Sequence, residues 1–275
     1  KSVGVNPYKF GLIGSTDSHS GLSSPEESNF LGKFATDSTP ETKQRLGGQL
    51  SANGWDMSAS GLAAVWAEHN TREEIFAAFK RREVYATSGP RIILQLYAGW
   101  FFPEGAEASN DFSNIGSEYG VPMGGELVAT SEAQNSISIL ISAIKDPKGA
   151  NLDRVQIVKG WIDEQSQLHE RVYDVAWSGD RETNDNGKLS PVTNTVDLKS
   201  GRYENSVGDE SFTVKWIDPD FNVSQKSFYY ARVLEIPTPR NTLFDSIALQ
   251  LDGPPRGAKI IQERAYSSPI WYHPK

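Results

Sequence analysis

The sequence predicts an α/β segment over residues 1–92, a β-rich, sandwich-like region over 93–258, and a tail over 259–275 that packs back on the body. Three observations carry this. One well-marked helix lies between two strand-like runs, as in a β-α-β unit. From about Arg91 the pattern changes to short alternating runs separated by turn residues. Those turns are rich in Gly, Asp and Asn, the punctuation of all-β folds.

Taken in order, Phe10–Ile13 is an apolar run that ends in Gly14-Ser15-Thr16 and reads as a buried strand. A polar loop follows from Ser23 to Asp56, unusually long for a compact domain. Gly61–Ala67 is a short strand. Thr71 and Glu74 then form a T-x-x-E capping box, Ile75, Phe76 and Phe79 supply an apolar face, and Lys80–Arg82 close the last turn. Val84–Thr87 is the next strand, stopped by Ser88-Gly89-Pro90. Beyond it, strands are expected at Ile92–Tyr97, Ser136–Ile144, Val155–Trp161, Leu168–Trp177, Ser211–Ile217 and Phe228–Ile236. Asp146-Pro147-Lys148-Gly149, Asp185-Asn186-Gly187 and Asp218-Pro219-Asp220 are the clearest turns between them, and Ile260–Gln262 opens the tail.

Composition narrows the function classes. The chain has 275 residues, 37% hydrophobic and 23% charged, ordinary for a globular protein. Its net charge of -8 disfavours nucleic acid, whose binding rests on clustered Lys and Arg. No apolar run is long enough for a transmembrane helix. Without cysteine there is neither a disulfide nor a thiolate metal site. The compartment stays open, a periplasmic or secreted location being compatible with these features. The first residue is Lys1, with no Met and no signal peptide, and the chain reads as a piece of a longer protein.

The candidate chemistry centres on Asp17 and His19. Two residues apart in an extended chain, they face the same way with Cα atoms roughly 6.5 Å apart. A carboxylate and an imidazole so placed can grip one metal ion, and the pair suits Zn, Mn or Fe. The same residues also read as an Asp capping a turn and a His hydrogen-bonded at a strand end. Arg91, after the Gly-Pro turn, could meet an anionic small-molecule substrate or form a structural ion pair. His69, next to the helix cap, is a weaker substrate-side candidate or a surface histidine. Asp218, Asp220 and Asn222 have the spacing of a calcium loop, but Val223 stands where Gly is required, so the segment reads as a turn. Trp100-Phe101-Phe102 is either a recognition patch or packing. No serine-hydrolase elbow, dinucleotide fingerprint or phosphate loop occurs.

The run F-G-L-I-G-S-T-D-S-H resembles the last metal-binding motif of the PHP (polymerase and histidinol phosphatase) family, an apolar strand followed by G-S-D-x-H. Thr71–Phe76 and Arg81–Arg91 resemble the helix-strand signature of PHP-like metallohydrolases. Leu152–Trp161, Tyr230–Arg240 and Glu263–Tyr272 resemble the DUF3604 family, a PHP-related group, and the likeness spans nearly the whole chain.

The resemblance implies the C-terminal part of a distorted PHP-type β/α barrel followed by the β-sandwich-like region. It matches Asp17 and His19 to the family's final metal ligands. The other ligands begin with an H-x-H pair, which this chain lacks. They are therefore expected from a missing N-terminal part of the same protein. The function so implied is a metal-dependent hydrolase of phosphoester, sulfate or other ester or carbamate bonds, with divalent metal ions in the intact protein and little activity or metal in this chain alone. The alternative is a non-catalytic module whose β-rich region recognises carbohydrate or protein through Trp100, Phe101 or Trp161.

Overall fold

The computed structural model describes residues 6–46, 53–129, 136–185 and 187–274. Lys1, residues 47–52 of the expected polar loop and Asn186 of an expected turn lie outside the described residues. In chain order the helices and strands are α1 (Pro40–Leu46), β1 (Leu62–Val65), α2 (Arg72–Arg81), β2 (Val84–Thr87), β3 (Ile93–Gly99), α3 (Phe112–Tyr119), β4 (Gly120–Pro122), β5 (Glu126–Val128), β6 (Ser138–Ile144), β7 (Leu152–Ile162), β8 (Leu168–Trp177), β9 (Ser211–Ile217), β10 (Ser227–Glu235), β11 (Thr238–Pro239), α4 (Asn241–Ala248), β12 (Ile260–Ile261), β13 (Arg264–Ser267) and β14 (Ile270–His273).

The large sheet is organised by β10. One edge of β10 pairs along its length with β7, which pairs in turn with β8. Its other edge is shared: β14 takes Ser227–Tyr229 and β13 takes Arg232–Leu234. Beyond β13 come β2 and then β1, and beyond β14 comes β5, the one parallel neighbour in this sheet among the described residues. A second antiparallel sheet runs β4-β3-β6-β9.

The core lies between the two sheets. Leu94, Leu96, Ile139 and Ile141 of the smaller sheet meet Val155, Ile157, Ala231 and Val233 of the larger one, all essentially without solvent contact. Period-2 alternation explains this: on β10, Tyr229, Ala231 and Val233 point inward while Phe228, Tyr230 and Arg232 point out.

Among the described residues the expected β/α barrel is not found. The chain is mostly β, with 32% strand and 17% helix, and its sheets are open rather than closed. The reason lies in the first unit. A β-α-β crossover returns the chain to the starting end of the first strand and makes parallel neighbours. Here Val65 pairs with Val84 and Leu62 with Thr87, so β2 runs antiparallel to β1. Helix α2 brings the chain back to the end it left. Thr71 caps its start through Glu74 N, and Arg82, at φ 64°, ends it with an immediate reversal into β2. Its expected apolar face is not inward either: Phe76 and Phe79 are exposed and Ala78 is the buried residue.

Nor is Phe10–Ile13 a buried strand. Phe10 and Ile13 are 57% and 52% exposed. What seats the segment are its glycines. A Cβ on Gly14 would lie 2.5 Å from the carbonyl oxygens of both Leu62 and Thr87, and one on Gly11 would strike Val84. Gly14 N donates to Leu62 O (3.1 Å), Gly61 N to Ser15 O (3.1 Å) and Leu12 N to Ser268 Oγ (2.9 Å). The segment thus lies against β1 and the tail by close backbone approach, leaving its large side chains outward.

Candidate functional site

Two places carry chemistry. The first is the turn after that segment. Asp17 sits at φ 45°, a left-handed conformation that Asp tolerates better than most residues. Its side chain is 72% exposed and is ion-paired with Lys33. That ammonium holds the Asp17 carboxyl below the usual carboxylate range.

His19 is tied down on three sides. Its backbone N donates to Lys33 O (2.8 Å), and its ring lies 4.9 Å from the Phe34 ring. Its Nδ1 is 2.9 Å from the Asp17 carbonyl oxygen. A carbonyl only accepts, so Nδ1 carries the hydrogen, and in the neutral ring Nε2 keeps its lone pair free. Lys33 and Phe34 are in turn fixed by Asp37, a buried carboxylate that accepts from both backbone N–H groups (3.3 and 2.7 Å). Asp17 and His19 are the side chains here that could hold a metal ion, the carboxylate already drawing a cation and the imidazole with Nε2 as its free lone pair. Among the described residues no third His, Cys, Asp or Glu joins them.

His69 is exposed in the turn before α2, where its carbonyl accepts from Thr71 N (2.8 Å). It belongs to no metal-capable group among the described residues. The Asp218–Asn222 segment is a turn: Asp218 accepts from Asp220 N (2.9 Å) and Asn222 from Ser224 N (2.9 Å). Asp218 also takes the buried Lys159 ammonium (2.6 Å) and the Tyr229 hydroxyl (2.7 Å). Trp100 packs edge-on to Phe221 and Tyr272 against the core, Phe101 is exposed beside Tyr119, and Trp161 is stacked on His169.

The second place is a cavity of about 590 Å³ where Arg91 is found. Its wall is assembled from distant parts of the chain, including Glu27, Gly89, Asp146, Arg202, Glu235 and Glu263. Glu235, at the end of β10, is 1% exposed, and Glu263, just before β13, is 5% exposed. Burial pushes the Glu235 carboxyl up to about 9, with Glu263 and Asp146 adding like-charge repulsion. Burial likewise raises Glu263 to about 7, against a hydrogen bond from the Ser88 hydroxyl. The backbone N of Arg91 donates to Asp146 (2.8 Å), which fixes that loop at the mouth.

The sequence reading passed over both glutamates. For Glu235 a signal existed: the inward alternation Tyr229, Ala231, Val233 carries on to residue 235, putting a carboxylate at the core end of a strand. For Glu263 no local signal existed, since its burial comes from Ser88 and β10 packing beside it.

Among family models, "Protein of unknown function (DUF3604)" matches residues 1–274. No curated protein and no solved structure matches the chain.

Proposed function

Starting from a chain that belongs to the DUF3604 family, we propose that it supplies Asp17 and His19 to the divalent-metal centre of a hydrolase of the PHP-like metallohydrolase type. One observation carries this reading. Nδ1 of His19 donates to the Asp17 backbone carbonyl, which leaves Nε2 as the free lone pair of a ring two residues from an exposed carboxylate that already attracts a cation. Two donors leave most of a coordination sphere unfilled, so the reading is of a shared site whose further ligands come from polypeptide outside the described residues.

A divalent ion held there would supply an activated water and polarise a phosphoryl, sulfuryl or acyl oxygen. This chain's own residues would do the rest. Asp17 contributes negative charge. His19 contributes a neutral nitrogen whose orientation is fixed by its Nδ1 hydrogen bond and by Phe34. Lys33 competes with the ion for Asp17 and must turn away when it binds. In this reading the β-rich region shapes the entrance for a small-molecule ester substrate.

Zinc titration followed by proton–nitrogen NMR of the histidine rings tests it. His19 Nε2 should shift with a dissociation constant in the range of about 0.1–10 mM, weak because two ligands act alone. His19→Ala should abolish the response, with His69 and His169 unmoved. The reading fails if His19 is unperturbed by zinc, or if one equivalent of metal binds tightly and survives His19→Ala.

A further inference from the structure

We propose that the outward face of β10, floored by the parallel rings of Phe228 and Tyr230, is a stacking site for a flat, uncharged β-1,4-linked oligosaccharide. This face is turned away from the core, and the proposal does not depend on Asp17 and His19.

The first observation is the arrangement of the rings. Phe228 and Tyr230 are two residues apart on β10 and so stand side by side on one face. Their ring planes are 8° from parallel, with centroids 6.4 Å apart. A Cβ at Gly160, paired with Phe228 on β7, would lie 2.4 Å from the ring carbons Cε1 and Cζ. Phe228 therefore leans across β7 instead of standing off the sheet, and glycine leaves it the room. Val158, paired with Tyr230 on the same face, is 1% exposed, which fits a Tyr230 ring leaning the same way. On the other side of β10, Trp271 is tilted 49° to Phe228 and Tyr266 is tilted 41° to Tyr230, so the two form a low wall. All four rings keep part of their surface in solvent.

The second is unspent hydrogen-bonding capacity around those rings. Arg232, the next outward residue of β10, donates through Nε to Gln156 (2.7 Å), whose amide donates to Asp174 (2.7 Å). This ladder crosses β10, β7 and β8 at one end of the rings and fixes the guanidinium. Its two Nη atoms have no hydrogen-bond partner among the described residues. Neither have the Tyr230 and Tyr266 hydroxyls, nor the exposed Glu170 carboxylate opposite Gly160 on β8. None of these atoms is sealed from solvent. Glu170, Arg232 and Tyr266 all lie near enough to act electrostatically on the Tyr230 hydroxyl, so the free groups gather beside one ring.

The third is the balance of charge. Glu170 and Asp174 oppose Arg232, so the rim carries both signs and selects neither an anion nor a cation. Free donors and acceptors beside two apolar ring faces match a sugar. Its C–H face carries slight positive charge and stacks on the electron-rich face of an aromatic ring, while its hydroxyls both donate and accept. A single nucleic-acid strand also stacks on such rings, but its phosphates would meet Glu170 and a chain of net charge -8. Two rings in nearly one plane orientation suit a flat chain, such as β-1,4-linked glucose, and not the coiled α-1,4-linked one.

Isothermal titration with cellotetraose, maltotetraose and glucose tests this. Cellotetraose should bind with a dissociation constant of about 0.05–1 mM. Maltotetraose and glucose should bind at least about tenfold more weakly, the first because its chain coils away from the rings, the second because it covers only one of them. In carbon–proton NMR the Phe228 and Tyr230 ring signals should move with cellotetraose. Tyr230→Ala should weaken cellotetraose by at least about tenfold, and Tyr230→Phe, which keeps the ring, by no more than about threefold. Glu170→Ala, at an exposed residue, should weaken it by about threefold to tenfold with an unchanged urea midpoint, a readout that survives if loss of a ring disturbs folding. Phe101→Ala, an exposed ring elsewhere, and His19→Ala should change nothing. The proposal is overturned if cellotetraose does not bind at about 10 mM, if glucose or maltotetraose binds as tightly, or if a folded Tyr230→Ala binds like the wild type. It is also overturned if the face holds a second copy of the chain instead, seen in sedimentation as a dimer that Tyr230→Ala separates.

Discussion

Replacing Glu235 with glutamine should flatten the fall of stability with pH. In the folded protein this carboxyl keeps its proton up to about 9, against an ordinary value of 4.5. Between those values the folded state binds more protons than the unfolded state, so raising the pH favours unfolding. The stability linked to the protonated group is fully present below pH 4.5 and is lost as the pH climbs toward about 9. Each unit is worth about 1.4 kcal/mol, so from about pH 5.5 to about pH 8 the wild type should lose about 3 kcal/mol through this one group. Glutamine cannot ionise, yet it fills the same space, and its amide oxygen can keep the hydrogen bond from the Ala150 backbone. Glu263 is present in both proteins, so its own loss with pH largely cancels in the comparison. Urea unfolding of the two proteins at both pH values gives the difference directly. The variant should gain on the wild type by about 3 kcal/mol across that interval. Parallel pH profiles would show that Glu235 is not held neutral and would refute the reasoning.

Two further outcomes follow from the geometry. Lys159→Met should destabilise the protein by about 3 kcal/mol, because it leaves the Asp218 carboxylate buried without its cation; a urea midpoint within error of wild type would contradict this. Lys33→Ala should raise zinc affinity at Asp17 and His19 by roughly threefold to tenfold, since it removes the ammonium that now occupies the carboxylate. NMR titration reads that change, and unaltered affinity would mean that Lys33 does not compete for Asp17.

The longer strands were legible where local patterning marks them, whereas β4, β5, β13 and β14 were not expected and Phe10–Ile13 forms no strand. Leu168–Trp177 and Ser211–Ile217 coincide with β8 and β9, and the Thr71 cap marks the residue before α2. The buried pattern of β10 was written in its alternation. Pairing direction was not legible. The same helix between the same two strands would serve a parallel crossover, and only the Val65–Val84 register shows that the chain returns to the end it left. The length of Ser23–Asp56 suggested loop throughout, yet α1 and short helical turns lie within it, fixed by Glu27 on Asn241 and by Lys43 on Asp245.

The sequence by itself determined that Asp17 and His19 share one turn, because two-residue spacing is a property of the chain. It could not say which face of Phe10–Ile13 meets the body. Gly11 and Gly14 decide that, through backbone contacts with residues far along the chain. The cavity is wholly a product of tertiary structure. Glu27, Asp146, Glu235 and Glu263 are scattered over more than half the sequence. The charge state of Glu235 and Glu263 depends on desolvation and on repulsion from neighbouring carboxylates, which exist only once the sheets have brought them together.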